Sequence, residues 1–358
     1  MGNIFGHTFR VTTFGESHGS SLGVIVDGCP PNLPIDLEAL QGEIARRRPG
    51  QSEIVSSRQE RDIAHVQSGI FEGVTTGAPI AIQFFNEDQR SGDYDTVKGL
   101  YRPGHADLTY DARFGIRDYR GGGRASARET IARVAAGGIA KQLLMHYFGV
   151  TIKAWVCQIG HVVMPEGMAD LSQIDQTPVR CPDAQTAGQM VKLIEEIRAD
   201  GDTIGGIVQT LVLDLPAGWG APVFDRLEAD LAKACLSIPA CKGFEVGTGF
   251  GGVQMRGSEH NDAIENTSNG LTTKTNRAGG TLGGISTGAP IEFKCAFKPV
   301  STHFKPQKTV SVTGESVTFK NKGRHDPCVV PRAVPIVEAM TALVLADHAL
   351  RTQTLLKM

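Results

Sequence analysis

The sequence predicts an α+β fold in which long helices pack between two antiparallel sheets, built as a pseudo-two-fold internal duplication. Three observations carry that prediction. Thr76-Gly77-Ala78-Pro79-Ile80 recurs as Thr287-Gly288-Ala289-Pro290-Ile291. Each copy stands behind a glycine-bearing turn (Phe71-Glu72-Gly73-Val74 and Leu282-Gly283-Gly284-Ile285) and ahead of a strand-like run. After Arg128, Ile131, Val134, Ala135, Ile139 and Leu143 fall at helical spacing, answered after Arg332 by Ile336, Val337, Met340, Leu343 and Val344. The first of these helices is rich in small residues (Ala135, Ala136, Gly137, Gly138, Ala140), which lets a second helix approach closely.

The remaining elements follow in order. Gly23 to Gly28 reads as a strand and resembles Leu211 to Asp214. Each leads through prolines to an amphipathic helix. One runs from about Asp36 to Arg47 with Leu37, Leu40 and Ile44 on one face; the other runs from about Asp225 to Cys235 with Leu227 and Leu231. The long helix of the first half is expected over Ala127 to Leu144. The two halves are placed at about 1–150 and 195–358 and combine into a single unit spanning 1–358. Glu259 to Arg277, where Asn, Thr and Ser cluster without periodicity, reads as a long loop.

Composition narrows the function classes. The chain has 358 residues, 41% hydrophobic and 21% charged, with a net charge of −2, which suits a soluble globular protein. That charge gives nothing for nucleic acid or an acidic membrane to attract. No apolar run is expected to span a bilayer, and the residues from Met1 to His7 lack signal-peptide anatomy, so a cytoplasmic protein is expected. The seven cysteines (Cys29, Cys157, Cys181, Cys235, Cys241, Cys295, Cys328) never form a Cys-x-x-Cys pair. They read as free, mostly buried thiols of a reducing compartment, with no metal site.

Chemistry concentrates in a few segments. Gly121-Gly122-Gly123-Arg124-Ala125-Ser126-Ala127-Arg128 carries glycines into a helix whose first turn is expected to hold guanidiniums. Unpaired helix N–H groups and a glycine-lined approach would seat a phosphate or carboxylate; a plain glycine turn before a surface helix has the same letters. Glu16-Ser17-His18-Gly19 places an imidazole where it could move a proton. A structural histidine fits that segment equally, but its repeat partner Gly201-Asp202-Thr203-Ile204-Gly205 keeps acid, hydroxyl and glycine while replacing the imidazole. The turn therefore does not need His18 for its own sake. Arg46-Arg47-Arg48-Pro49-Gly50 sets three cations at a helix C-terminus, which suits the dipole and would also clamp an anion. Arg102-Pro103-Gly104-His105-Ala106-Asp107, Lys298-Pro299-Val300-Ser301-Thr302 and Lys322-Gly323-Arg324-His325-Asp326-Pro327-Cys328 complete the set. Jointly they describe an arginine-rich site with two or three histidines, for a small and highly anionic ligand.

With these motifs in hand the chain resembles the chorismate synthase family from its first residues to about Leu350. The resemblance rests on Phe14-Gly15-Glu16-Ser17-His18-Gly19, Arg46 to Gly50, Arg102 to Asp107, Arg117-Asp118-Tyr119-Arg120-Gly121-Gly122-Gly123-Arg124, Gly323 to Cys328 and Arg332-Ala333-Val334-Pro335. It implies a β-α-β sandwich assembled as a homotetramer. It also implies loss of phosphate from 5-enolpyruvylshikimate 3-phosphate to give chorismate, with reduced FMN and no net redox change. By motif, His18, with Ser17 beside it, would protonate the departing phosphate, and His105 would help keep the flavin as the reduced anion. Asp326, with Ser126 near, would relay a proton at flavin N5. Arg47, Arg102, Arg128 and Arg324 would hold the substrate's anions. Arg124, Ala125, Ser126, Pro239, Ala240, Gly283, Lys298, Pro299, Val300, Ser301, Thr302 and Arg324 would line the FMN. The resemblance further implies a separate flavin reductase as the source of reducing equivalents.

Three residues depart from the family pattern. Ala125 stands where a second serine is usual, Pro239 where an asparagine is usual, and Glu53 where a basic residue is common; Arg58 could compensate for the last. Two other readings fare worse. A phosphotransferase needs Lys-Ser/Thr after the glycines and an acidic magnesium ligand. An RNA-binding protein needs a basic domain with stacking aromatics, and aromatic residues make up only 6% of this chain.

Overall fold

The computed structural model describes residues 2–50, 60–87, 97–167, 169–267, 270–321 and 325–356. In the first half, strands β1 (Ile4–Phe5), β2 (Arg10–Gly15), β3 (Ser21–Asp27), β4 (His65–Ser68) and β5 (Ile80–Phe85) form an antiparallel sheet of order β1-β2-β3-β5-β4. In the second, β6 (Thr151–Ile159), β7 (Val162–Val163), β8 (Gly206–Leu213), β9 (Cys241–Val246) and β10 (Ile291–Phe297) form another of order β9-β10-β8-β6-β7. Helices α1 (Leu37–Arg47), α3 (Thr130–Phe148), α5 (Leu227–Leu236) and α6 (Val330–Leu356) pack between the sheets. Helix α2 (Asp107–Phe114) and helix α4 (Ala184–Ala199) complete the longer elements.

The internal repeat is visible in the order of elements. β2, β3, α1, β4, β5, α3 in the first half match β6, β8, α5, β9, β10, α6 in the second. Register fixes the alignment: Val26 pairs with Ile80 as Val212 pairs with Ile291. That spacing lays Glu16-Ser17-His18-Gly19 on Asp202-Thr203-Ile204-Gly205. The second set of elements opens at Thr151 rather than near residue 195, because β6 belongs to it and α4, capped by Asp183 accepting from Thr186 N at 2.7 Å, is inserted before β8.

Local sequence explains the helices. Asp36 caps α1 by accepting from Ala39 N at 2.9 Å. Gly137 of α3 lies so close to α6 that a Cβ there would come 2.4 Å from the Ala339 Cβ, and one at Gly138 would come 2.6 Å from Leu40 Cδ1 of α1. Pro335 inside α6 removes the N–H that would bond the Pro331 carbonyl; Arg180 Nη1 donates to that carbonyl instead, at 2.5 Å.

Three expectations need correction. The guanidiniums of Arg124 and Arg128 do not sit in the first turn of a helix: two 3-10 turns, Gly123–Ala125 and Ala127–Glu129, precede α3, which starts at Thr130. Positive φ at Gly121, Gly122 and Gly123 and an extended Ser126 (φ −74°, ψ 143°) break the backbone ahead of α3. The segment Glu259 to Arg277 is not loop throughout. It holds a hairpin of Ile264–Thr267 with Gly270–Thr273, preceded by a helical turn at Gly257–His260. Finally, Val330–Thr352 is long and apolar enough by composition to cross a membrane, but 94% of its most apolar window is buried among the other elements, as a core helix is. All seven cysteines are free and buried.

Candidate active site

A cavity of about 600 Å³ opens where loops of the two halves meet. From the first half come the end of α1, the loop before α2 and the glycine loop before α3. From the second come the α5–β9 junction, the loop after β10 and the loop before α6. Side-chain bonds tie the two sets together. Ser301 Oγ donates to the Gly104 carbonyl at 2.8 Å, and Thr302 Oγ1 lies 2.9 Å from His105 Nε2. The repeat turn helps: Thr203 Oγ1 donates to the Val300 carbonyl at 2.7 Å and Ile204 N to the Pro327 carbonyl at 2.9 Å.

Of the residues expected at the site, Arg47, Arg102, His105, Ala125, Ser126, Arg128, Pro239, Ala240, Lys298, Val300, Ser301, Thr302 and Asp326 line this cavity. Ser17 and His18 stand one glycine behind the wall. A Cβ on Gly121, which does line it, would fall 2.1 Å from His18 Cε1. His18 is only 7% exposed, and its Nδ1 is 3.1 Å from Ser17 Oγ. Arg124 is not brought to the cavity: its guanidinium donates to the carbonyls of Gly15 and Thr13 and to Thr13 Oγ1, bracing β2. Gly283, in the hairpin turn between Thr281 and Ser286, and Pro299, between two lining neighbours, are not among the residues that line the cavity. Arg324, Glu53 and Arg58 lie outside the described residues.

Arg47 and Arg128 are buried, Arg102 and Arg332 half-buried, and all four are already paired. Arg102 donates to Asp107 from Nε and Nη2, each at 2.8 Å. Arg47 Nη2 donates to Asp62 Oδ2 at 2.6 Å, and Arg128 Nη1 bonds Asp62 Oδ1. Burial pushes the Arg47 pKa down to about 10, against the pull of Asp62 and with help from the nearby Arg128 and Arg332 cations; it stays charged at neutral pH. Burial works to raise the Asp62 pKa, but Arg47 and Arg128 overcome it and hold the carboxylate below its usual range. Arg332 donates to the Arg47 carbonyl at 3.2 Å and bonds Asp326. The run of three arginines is thus split. Arg46 turns the other way, onto Glu338, Glu43 and Asp175, and helps to hold the helices together.

Sequence reasoning missed the carboxylates Asp62 and Asp107 and gave Arg332 no role. Asp107 stood in a quoted motif, five residues from the arginine it binds. Asp62 carries no local signal, since its partners are 15 and 66 residues away.

His105 is held neutral. Burial comes first, and the Arg102 and Lys298 cations with His325 add to it against Asp107, so that the imidazole pKa falls to about 4. The unfolded chain, with His near 6.5, binds the extra proton first as pH falls. Stability carried by neutral His105 is therefore complete above pH 6.5 and lost as pH drops toward 4, by at most about 1.4 kcal/mol per pH unit. Denaturant unfolding at stepped pH should show that slope, and His105→Asn should flatten it; an identical slope in the variant would count against this account.

The class of protein that fold and cavity define is an enzyme for a small anionic molecule, with guanidiniums and a neutral imidazole around one cavity. Comparison with known proteins gives the particular family. The family model described as chorismate synthase matches residues 9–350. The chorismate synthase of Opitutus terrae is 55% identical over 353 residues, 98% of this chain and 97% of its own. That of Synechococcus elongatus is 55% identical over 359 residues, 99% of this chain and 98% of its own. A solved structure titled "Crystal Structure of Chorismate Synthase" matches with a TM-score of 0.78 and 30% identity, covering 97% of this chain and 93% of that one. The chain belongs to the chorismate synthase family and is a carbon–oxygen lyase acting on phosphates.

Proposed function

We propose that this chain converts 5-enolpyruvylshikimate 3-phosphate to chorismate and phosphate by 1,4-anti elimination, using reduced FMN, as the last common step of the shikimate pathway. The observation that carries the reading is the convergence of Arg47, Arg102, Arg128 and Arg332 on one cavity of a chain with no net basicity. A substrate with one phosphate and two carboxylates calls for such a local surplus.

The cavity also suits FMN. The Ile238–Ala240 backbone and Ala125 offer a wall for a flat ring, and Lys298, its pKa lowered by burial and then by the neighbouring Lys242 cation, stands with Lys242 to meet a phosphate monoester. Ala240 is held at φ 68° and its carbonyl accepts from Lys298 N at 3.0 Å, so the wall at Pro239 is shaped by backbone and needs no asparagine side chain. Reduced FMN, when bound, supplies transient electron density that eases an elimination otherwise stereoelectronically poor.

The chain's own groups do the rest. The buried guanidiniums bind the anions and fix the ring where phosphate leaves with its C–O electron pair. His18, backed by Ser17, protonates the departing phosphate across Gly121. His105 is uncharged in the free protein, so its contribution to the flavin is a hydrogen bond; an anion beside it draws its pKa upward again. Asp326, oriented by Arg332 and with Ser126 on the same wall, moves the proton at flavin N5. The protein acts in the cytoplasm as a homotetramer, and a separate reductase supplies reduced flavin.

The test is an anaerobic assay with dithionite-reduced FMN and 5-enolpyruvylshikimate 3-phosphate, following chorismate absorbance. One reduced flavin should support many turnovers. Equal activity with oxidised FMN, or with no flavin, overturns the reading.

A further inference from the structure

We propose that Asp62 is a positioning residue, a single buried carboxylate whose two oxygens hold the Arg47 and Arg128 guanidiniums at the spacing that grips the substrate's anionic group. The proposal rests on the reading above that these two arginines hold that group.

Asp62 bonds two arginines that come from different elements. Arg47 ends α1 and Arg128 precedes α3, yet each gives one N–H to a different oxygen of the same carboxylate. The carboxylate is itself fixed in place. Gln41 of α1 donates through Nε2 to the Asp62 carbonyl at 2.9 Å and accepts from Ala64 N at 3.0 Å, clamping the backbone on both sides of Ile63. Asp62 has φ 53°, a left-handed conformation that Asp and Asn tolerate better than most residues. Arg128 is steadied a second time by Nε donating to Asn86 Oδ1 at 3.0 Å.

What the two guanidiniums keep unspent points to the ligand. Among the described residues, Arg47 Nε and Arg128 Nη2 are buried with no hydrogen-bond partner, and both side chains line the cavity. Glu60 Oε2 lies 3.7 Å from Arg128 Nη2, too far for a hydrogen bond. A buried unmade N–H is costly, and two on guanidiniums that share one counterion beside the cavity suit a multidentate anion. Without Asp62, Arg47 and Arg128 would repel one another and lose that arrangement.

Asp62→Asn keeps the size and the backbone preference and removes the charge and one acceptor. Asp62→Glu restores charge and both oxygens, displaced by one methylene. Binding of 5-enolpyruvylshikimate 3-phosphate is measured by calorimetry, and kcat and KM with reduced FMN, alongside melting temperatures. Asp62→Asn should raise Kd and KM about tenfold or more, with kcat at saturation within about threefold of the parent. Asp62→Glu should regain part of the affinity. A folded Asp62→Asn that binds like the parent, or that loses kcat with Kd unchanged, overturns the proposal. Should Asp62→Asn fail to fold, Asp62→Glu decides: its displaced oxygens predict weaker binding than the parent, and parental affinity overturns the proposal. A parent protein that binds no substrate overturns the functional reading instead.

Discussion

His18→Ala should lower turnover by about 10²–10⁴-fold, the range of general acid catalysis, while the melting temperature stays almost unchanged. The reason is the repeat. The two halves build the same turn, one with His18 and the other with Ile204, and in both the turn anchors a loop of the site. Ser17 Oγ donates weakly to the Arg120 carbonyl at 3.4 Å, and Thr203 Oγ1 donates to the Val300 carbonyl. An imidazole is not needed for that anchoring. Ile204→Ala should do the reverse. Ile204 is half-buried against the core and packs over Gly160, so the loss is expected at the low end for an isoleucine truncation, about 2 kcal/mol, with turnover intact in the folded fraction. Denaturant melts and single-turnover assays on both variants separate the cases. If His18→Ala unfolds the protein while specific activity survives, the histidine is a core residue.

Glu338→Ala should destabilise the protein by about 3–5 kcal/mol, the cost of breaking a buried ion pair by removing one partner. Glu338 is 2% exposed in the middle of α6. It accepts from Arg46 Nη1 at 2.5 Å and Lys141 Nζ at 2.6 Å through one oxygen, and from Arg46 Nη2 at 3.2 Å and Ala154 N at 3.1 Å through the other. One carboxylate therefore ties α1, α3 and β6 to α6, joining the two halves. Burial would raise its pKa, but Lys141 and Arg46 prevail and hold it well below the usual carboxylate range. A carboxylate with a depressed folded pKa contributes stability above the unfolded value, about 4.3, and loses it as pH falls through the folded value. Urea unfolding at neutral pH checks the magnitude. A loss under about 1 kcal/mol would mean that the cluster breaks even against its desolvation cost.

The elements that sequence reasoning found were those whose signal is local and periodic. Leu40 and Ile44 on α1, the small residues of α3 and the apolar stripe of α6 each follow from helical spacing. The duplicated Thr-Gly-Ala-Pro-Ile motif located the repeat because a turn with fixed φ demands the same letters twice. The hairpin within 259–277 was missed because its strands are polar and exposed, with no buried face to impose alternation. α4 was passed over because it has no counterpart in the first half.

Within the candidate site, motifs foretold which loops would meet but not how their charges would be spent. Arg46, Arg47 and Arg48 are adjacent letters. On a helix, adjacent side chains point about 100° apart, so Arg46 reaches Glu338 while Arg47 faces the cavity. Arg124 and Arg128 are four apart, yet the 3-10 turns between them send one to brace β2 and the other to Asp62. Sequence by itself determined the family, the duplicated α+β plan and the kinds of side chain available to bind an anion, because those depend on local spacing and on motif identity. Tertiary structure alone decided which arginine has which carboxylate, that His105 is neutral and that His18 sits behind Gly121. Those properties depend on distance and desolvation between groups far apart in the chain, and a one-dimensional pattern records neither.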